Sequence, residues 1–260
     1  MSTPSTTAAP PLTGRVSIIT GAGQGIGRAF ALGFAVAGAS VVVADLDDGN
    51  ARAVADEIVA AGGEALGVGA DVSDEAAVAA MVESALDRFG RIDALVNAAA
   101  IFSTLTMKSF EQISAAEWRK VIDVNLTGTF LCAKAVAAPM RAGGGGAIVN
   151  ISSATVLSGR PDYLHYVTSK AGIVGLTRSL ARELGPDAVT VNAIMPGSVD
   201  TGIARDSARP EAVAHIVGGQ SIKRRLVSDD IVGAAVFLAS PSASAMTGQS
   251  LVIDGGMNFL

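Results

Sequence analysis

The sequence predicts a single-domain α/β fold: a doubly wound parallel sheet flanked by helices on both faces. Three observations predict it. Short β-branched runs alternate with longer amphipathic stretches along the 260 residues, as repeated strand–helix–strand units with right-handed crossovers do. The strand-like runs are continuously apolar rather than alternating, which suits strands covered on both faces. A glycine-rich turn joins the first strand-like run to the first helix-like one, where open sheets of this kind bind ligands.

The elements follow in order. Residues 1–13 carry no charge and several Ser, Thr and Pro, without the basic start and apolar centre of a signal peptide. They read as a loose arm ahead of a domain over 14–260. Strands are expected over 16–19, 41–44, 65–68, 94–96, 147–150, 189–194 and 251–253. Helices are expected over 25–37, 50–61, 74–89, 115–140, 163–184 and 229–239, with Asp74 as an N-cap. No linker divides the chain, and 143–146 is a tight connection before a strand. Residues 197–227 show weak regularity. A loop that long in a compact domain is usually a lid or binding loop.

Composition narrows the function. Half the residues are hydrophobic and 4% aromatic, so the core is built mainly from Ala, Val, Ile and Leu. The single cysteine, Cys132, excludes an internal disulfide framework and reads as a buried small hydrophobe. A net charge of −5 with no basic block argues against nucleic acid as a partner. No apolar run approaches a bilayer-spanning length. The expected setting is the cytoplasm, with no membrane partner. No His, Cys and carboxylate cluster has metal-ligand spacing, so no catalytic metal is expected.

The first strand runs into Thr20-Gly21-Ala22-Gly23-Gln24-Gly25-Ile26-Gly27, which opens a helix. Glycines there permit a tight turn and let backbone N–H groups approach a pyrophosphate at the helix N-terminus. Asp45 ends the second strand. A carboxylate there accepts hydrogen bonds from both adenosine ribose hydroxyls and repels a 2′-phosphate. No Arg or Lys lies at 22–24 to compensate, so NAD is favoured over NADP. The glycines at 21, 25 and 27 read T-G-x-x-x-G-x-G, and in this the chain resembles the single-domain short-chain dehydrogenases/reductases, from about Gly14 to the C-terminus. The resemblance implies a Rossmann-type sheet and a nicotinamide cofactor. It places Asp71 and Val72 near the adenine and the run that begins at Asn97, Asn97-Ala98-Ala99-Ala100, beside the adenine ribose. The family's usual N-N-A-G is here Asn97-Ala98-Ala99-Ala100, with small residues kept. Pro196-Gly197-Ser198-Val199-Asp200-Thr201 resembles the family's P-G-x-x-x-T, whose backbone and Thr contact the nicotinamide carboxamide.

Tyr166 and Lys170 lie four residues apart in an expected helix, so phenol and ammonium share one face. A nearby positive charge favours phenolate and brings proton exchange towards neutral pH. Ser153 precedes Tyr166 by thirteen residues in Ile151-Ser152-Ser153. The family places its catalytic Ser at that separation. Ser152 is the rival, and spacing favours Ser153. Asn125 resembles the family's helix-borne Asn, which helps position a water linked to the lysine. It also reads as a buried Asn stabilising a helix bend. The implied roles are a proton moved by Tyr166, a substrate oxygen polarised by Ser153, and a nicotinamide ribose bound by Lys170, which also lowers the Tyr166 pKa.

Other residues stay outside this set. His165 points about 100° away from Tyr166 around the helix and reads as a packing or rim residue. His215 is isolated, Trp118 covers a helix edge, and Lys223-Arg224-Arg225 is a short basic run, solvated or flanking the binding loop. A cofactor-binding protein without catalysis would be expected to lose Tyr, Lys or Ser, and all are present. Three substrate readings remain: a small secondary alcohol or its ketone, a 3-oxoacyl thioester, and a sugar or polyol. Ile101, Phe102, Val156, Leu157 and Met195 are candidate apolar walls, with Arg160 the nearby cation. Ala-rich helices over 115–140 and 163–184, together with the resemblance, imply a homotetramer.

Overall fold

The computed structural model describes residues 9–204 and 209–259. Seven strands form one parallel sheet: β1 (Val16–Thr20), β2 (Ser40–Asp45), β3 (Ala65–Gly69), β4 (Ala94–Asn97), β5 (Gly146–Ile151), β6 (Val189–Pro196) and β9 (Ser250–Ile253). Their order is β3-β2-β1-β4-β5-β6-β9. The chain winds outward one way from β1 and the other way from β4, so the strand order reverses between them. A short parallel pair, β7 (Val199–Asp200) and β8 (Leu226–Val227), stands apart.

Continuous apolar strands are explained by burial on both faces. In β1, Ile18 enters one core and Ile19 the other, and in β2, Val42 is divided from Val41 and Val43 in the same way. One core packs α1 (Gly25–Val36), α2 (Asp48–Ala60) and α9 (Asp229–Ala239) on the sheet through Phe30, Phe34, Ile58 and Leu238. The other packs α3 (Glu75–Phe89), α5 (Gly128–Ala142) and α7 (Leu164–Leu184) through Met81, Val136, Met140 and Leu184. Asp74 caps α3, accepting from the Ala76 and Ala77 amides. Cys132 is fully buried, and burial pushes its thiol up to about 12.

Five expectations change. The arm over 1–13 is described from residue 9, and Leu12 is fully buried in the first core, its N–H donating to the Ala37 carbonyl. The helix over 115–140 is α4 (Ala115–Ile122), a π-helical turn over Asp123–Thr127, and α5. By length and composition alone this run is apolar enough to cross a membrane, contrary to the expectation that no apolar run approaches that length. In the fold it packs on β4, β5, α3 and α7, as the core helix of a globular domain does. The weakly regular segment 197–227 contains α8 (Pro210–Gly219), which has no fully buried residue. The basic run is ion-paired rather than merely solvated: Arg224 grips Asp230 with two hydrogen bonds, and Arg225 lies 2.9 Å from Asp200. Two short elements, a 3-10 turn at Phe110–Gln112 and α6 (Thr155–Ser158), complete the region around the site.

Candidate active site

A cleft of about 1550 Å³ opens at the C-terminal ends of the strands, over the reversal between β1 and β4. The turn after β1 forms its floor. Gly21 has φ +63, and a Cβ there would sit 2.6 Å from the Ala99 Cα on the neighbouring β4 loop. A Cβ on Gly27 would collide with the Gly21 carbonyl. The backbone is therefore as close-packed as glycine allows, and the first residues of α1, Gly25, Ile26 and Gly27, line the cleft. Thr20 fastens the turn sideways: its Oγ1 accepts from the Ala98 and Ala99 amides at 3.2 Å each.

Asp45 is oriented before any ligand arrives. Oδ2 accepts from the Gly23 amide at 2.8 Å and Oδ1 from the Asp47 amide at 3.1 Å. A carboxylate offers about four acceptor positions, so capacity remains for two hydroxyls. Gln24, Gly25, Ile26, Asp71, Val72, Pro196, Gly197, Val199 and Thr201 line the same cleft.

At the other end of the cleft, α7 presents Tyr166 and Lys170 on one face. The ammonium lies 5.7 Å from the Tyr166 ring centroid and donates to the Ile151 carbonyl at 2.8 Å. Burial pushes Lys170 down to about 7. The two serines divide. Ser152 Oγ donates to the Lys170 carbonyl at 2.8 Å. Ser153 Oγ accepts from the Thr155 amide at 3.2 Å and from the Thr155 hydroxyl at 2.9 Å. A hydroxyl has two acceptor positions and one donor, so the Ser153 O–H is left to donate into the cleft. Thr155, which holds the Ser153 oxygen, is a neighbour that spacing did not single out. Its only sequence signal is a hydroxyl two residues beyond Ser153.

Asn97 and Asn125 do not line the cleft. Asn97 is buried and turns into the sheet, donating to Asn150 Oδ1 at 2.9 Å, and Asn150 continues to Thr177 at 2.9 Å. The side chain turns away because a buried amide finds its partners inside the sheet, while Ala98, Ala99 and Ala100 of the same run line the cleft. Asn97 Oδ1 has no hydrogen-bond partner among the described residues. Asn125 sits in the π-helical turn, fully buried. Its Oδ1 accepts from the Ile101 amide at 2.7 Å, while Nδ2 donates to the Ile101 carbonyl at 3.2 Å and to Ser169 Oγ at 3.1 Å. It clamps the β4–α4 loop to the helices.

Of the apolar walls expected, Ile101 and Phe102 line the cleft. Val156, Leu157 and Met195 are not among its lining, and Met195 is buried in β6. Arg160 lies over the Tyr163 ring, 5.3 Å from its centroid, and is likewise outside the lining. The α4 wall, with Glu117, Arg119 and Lys120, was not foreseen, because a helix brought in by tertiary packing leaves no local motif.

The site as a whole is a glycine cradle that close packing forbids to any other residue, a pre-oriented carboxylate, and a hydroxyl–phenol–ammonium group at the far end. A family model described as enoyl-(acyl carrier protein) reductase matches residues 21–258. A probable galactose dehydrogenase of Rhizobium meliloti is 40% identical over 250 residues, covering 95% of this chain and 96% of that protein. A 3-oxoacyl-[acyl-carrier-protein] reductase of Synechocystis is 39% identical over 249 residues, covering 95% and 98%. A solved 7α-hydroxysteroid dehydrogenase, in complex with NADH and 7-oxo glycochenodeoxycholic acid, superposes with a TM-score of 0.90 at 36% identity, covering 95% and 96%. The chain belongs to the short-chain dehydrogenase/reductase family of oxidoreductases.

Proposed function

We propose that the protein is an NAD(H)-dependent oxidoreductase that interconverts a small, uncharged secondary alcohol and its ketone, with Tyr166 as the general acid/base. The observation that carries this reading is the convergence of a donating Ser153 hydroxyl, the Tyr166 phenol and the Lys170 ammonium at one end of a cleft whose other end is Asp45. The residues fit a dinucleotide. Gly21, Gln24, Gly25, Ile26 and Gly27 would hold its pyrophosphate, Asp45 its adenosine ribose, Asp71 and Val72 its adenine. Pro196, Gly197, Val199 and Thr201 would hold the carboxamide. When bound, the nicotinamide supplies hydride transfer.

This chain's own residues do the rest. Ser153 donates to the substrate oxygen and holds it beside Tyr166. The phenol gives or takes the proton on that oxygen. Lys170, one turn along, favours the phenolate whenever it carries charge. Asn125 supports the site by fixing the Ile101 backbone. Asp45 disfavours a 2′-phosphate, since its carboxylate is already fixed by two amides and cannot swing away.

Ile101 and Phe102 give an apolar wall, Arg160 is engaged elsewhere, and the cations Arg119 and Lys120 of the α4 wall are exposed to solvent, which favours a neutral substrate with one reactive oxygen. The names of the relatives keep sugars, polyols and 3-oxoacyl thioesters as alternatives within the same reaction class. Oxidation is the working direction proposed, because cells keep NAD largely oxidised. A homotetramer is the proposed assembly.

The test pairs a substrate screen with one variant. Neutral secondary alcohols, hydroxy acids, polyols and thioesters are offered with NAD(H) and NADP(H). Neutral alcohols should turn over with NAD. Tyr166→Phe should lower kcat by at least ~100-fold while NADH binding, followed by fluorescence, is retained. Near-normal turnover by the variant, or equal efficiency with NADP, refutes the reading.

A further inference from the structure

The cleft uses one face of α7, and the next residue round the helix, His165, is fully buried yet takes no part in the proposed reaction. Its Nε2 lies 3.3 Å from Glu117 Oε1 on α4. The other carboxylate oxygen, Oε2, accepts from Lys108 Nζ at 2.9 Å. Lys108 is fastened a second time at its backbone, where its N–H donates to the Asp162 carbonyl at 3.2 Å. Asp162 has φ 65 and lies two residues ahead of α7. One carboxylate thus joins three elements: the loop after β4, α4, and the first turn of α7.

These elements enclose a small core separate from the two large ones. Leu105, Val121, Tyr163 and Tyr166 are its buried residues. Phe102 packs on it, its ring 4.5 Å from that of Tyr166 and 5.7 Å from that of Tyr163. The phenol ring therefore leans on a loop residue whose position is set by how that loop is anchored. Apolar contacts are non-directional, so a core this small does not by itself fix the loop against the helix. Charged hydrogen bonds are directional and, in partly buried places, costly to break from one side. The side chains of Lys108 and Glu117 are only about a quarter exposed. The Lys108 hydrogen bond is the main influence holding the Glu117 carboxyl below the usual glutamate range, with burial opposing it and His165 adding to it.

We propose that Glu117, by bridging Lys108 and His165, is a positioning residue that locks the loop 101–110 onto the first turn of α7 and so sets the Tyr166 phenol and the Phe102 wall at the substrate. The proposal rests on the reading of Tyr166 as the acid/base. Glu117, His165 and Lys108 act through Tyr166 and Phe102 and move no proton of the substrate. The His165 ring holds on through Nε2 alone, since Nδ1 has no hydrogen-bond partner among the described residues. The tautomer this requires carries its proton on Nε2.

Three full-length variants test it: His165→Leu, which removes the donor at similar bulk; His165→Gln, whose amide nitrogen reaches the Nε2 position; and Lys108→Met, on the partly exposed side. Kinetics are measured beside amide hydrogen exchange of the 101–110 segment. His165→Leu and Lys108→Met should each lower kcat about 10- to 100-fold, with KM for NAD within about 2-fold of the parent. Exchange at the Lys108 amide should quicken in both, while the Ile101 amide, held by Asn125, stays protected. His165→Gln should recover most of the rate and the protection. Unchanged kinetics and exchange, or a loss in His165→Leu that His165→Gln does not recover, overturn the proposal. If His165→Leu does not fold, Lys108→Met decides alone. If the parent protein turns over none of the alcohols, the enzymatic reading has failed by itself. Exchange then decides the positioning claim, and parent-like exchange at Lys108 in the variants overturns it.

Discussion

Ser153 shows how much a single side chain depends on its immediate neighbours. Two serines stand side by side, and what separates them is the second hydrogen-bond partner each finds. Ser152 gives its proton to the Lys170 carbonyl, whereas Ser153 receives two hydrogen bonds from Thr155 and keeps its proton free. Thr155 therefore matters through the orientation it imposes. Thr155→Val retains the backbone donor and loses the hydroxyl, so the Ser153 O–H is free to rotate. Loss of one such hydrogen bond corresponds to a kcat drop of about 3- to 10-fold, with cofactor affinity unaltered, and Thr155→Ser should restore the rate. Steady-state kinetics on the three proteins check this, and a parent-like kcat in Thr155→Val would show that the orientation is set otherwise. The spacing to Tyr166 pointed to Ser153; the two hydrogen bonds from Thr155 that engage its oxygen were not readable from the spacing.

At the scale of elements, the π-helical turn is the main departure from the expected pattern. The apolar periodicity over 115–140 reads as one helix, and in the fold an extra residue is accommodated at Asp123–Thr127. Thr129 Oγ1 donates to the Asn125 carbonyl at 2.8 Å while the Asn125 amide is held by Ile101 and Ser169. Side-chain donors of this kind compete with the backbone ladder and open it locally. A second element-level tie joins β8 to α9. Asp230 accepts two hydrogen bonds from Arg224 and one from the Val227 amide at 2.8 Å, and the Arg224 contact, more than the Val227 amide, lowers its carboxyl to about 2 from an ordinary 3.8. A carboxyl lowered on folding stabilises the folded state above its unfolded pKa and ceases to do so as pH falls through the folded one. Asp230→Asn should therefore have a lower urea midpoint than the parent at pH 7. The gap should close as pH falls from about 4 to about 2. A gap that does not change with pH would mean the aspartate acts only through packing.

For the molecule as a whole, the run of α4, the π-helical turn and α5 leaves apolar surface outside the core. Phe130 is 43% exposed on α5, and Leu164 is 45% exposed at the start of α7. Closed symmetric assembly covers such faces with the same face of another copy, and small residues along both helices let them approach closely. Light scattering at micromolar concentration should report four chains. Phe130→Glu should shift the population to smaller species without unfolding the protein, as followed by far-UV circular dichroism. A monomer in the parent protein rejects the assembly.

Most of the fold was legible because it rests on local signals. Periodicity, continuous apolar runs and glycine spacing act over a few residues, and they located five of the six expected helices, seven strands and the glycine turn within a residue or two. The helix α8 was not legible, since its apolar residues are only half-buried and its packing leaves a weak pattern. Leu12 was read with the arm because nothing nearby in sequence announces the core it enters. The candidate site divides the same way. Gly21, Asp45, Ser153, Tyr166 and Lys170 sit in or beside local patterns, and the sequence by itself determined the place of the first three at or just beyond strand ends and of the last two on one helix face. Tertiary structure alone decided that Asn97 turns into the sheet, that α4 supplies a wall of the cleft, and that Lys108, Glu117 and His165 meet. Those outcomes depend on contacts between segments far apart in the chain, and the geometry of such contacts is set by the packing of whole elements, to which no short stretch of sequence corresponds.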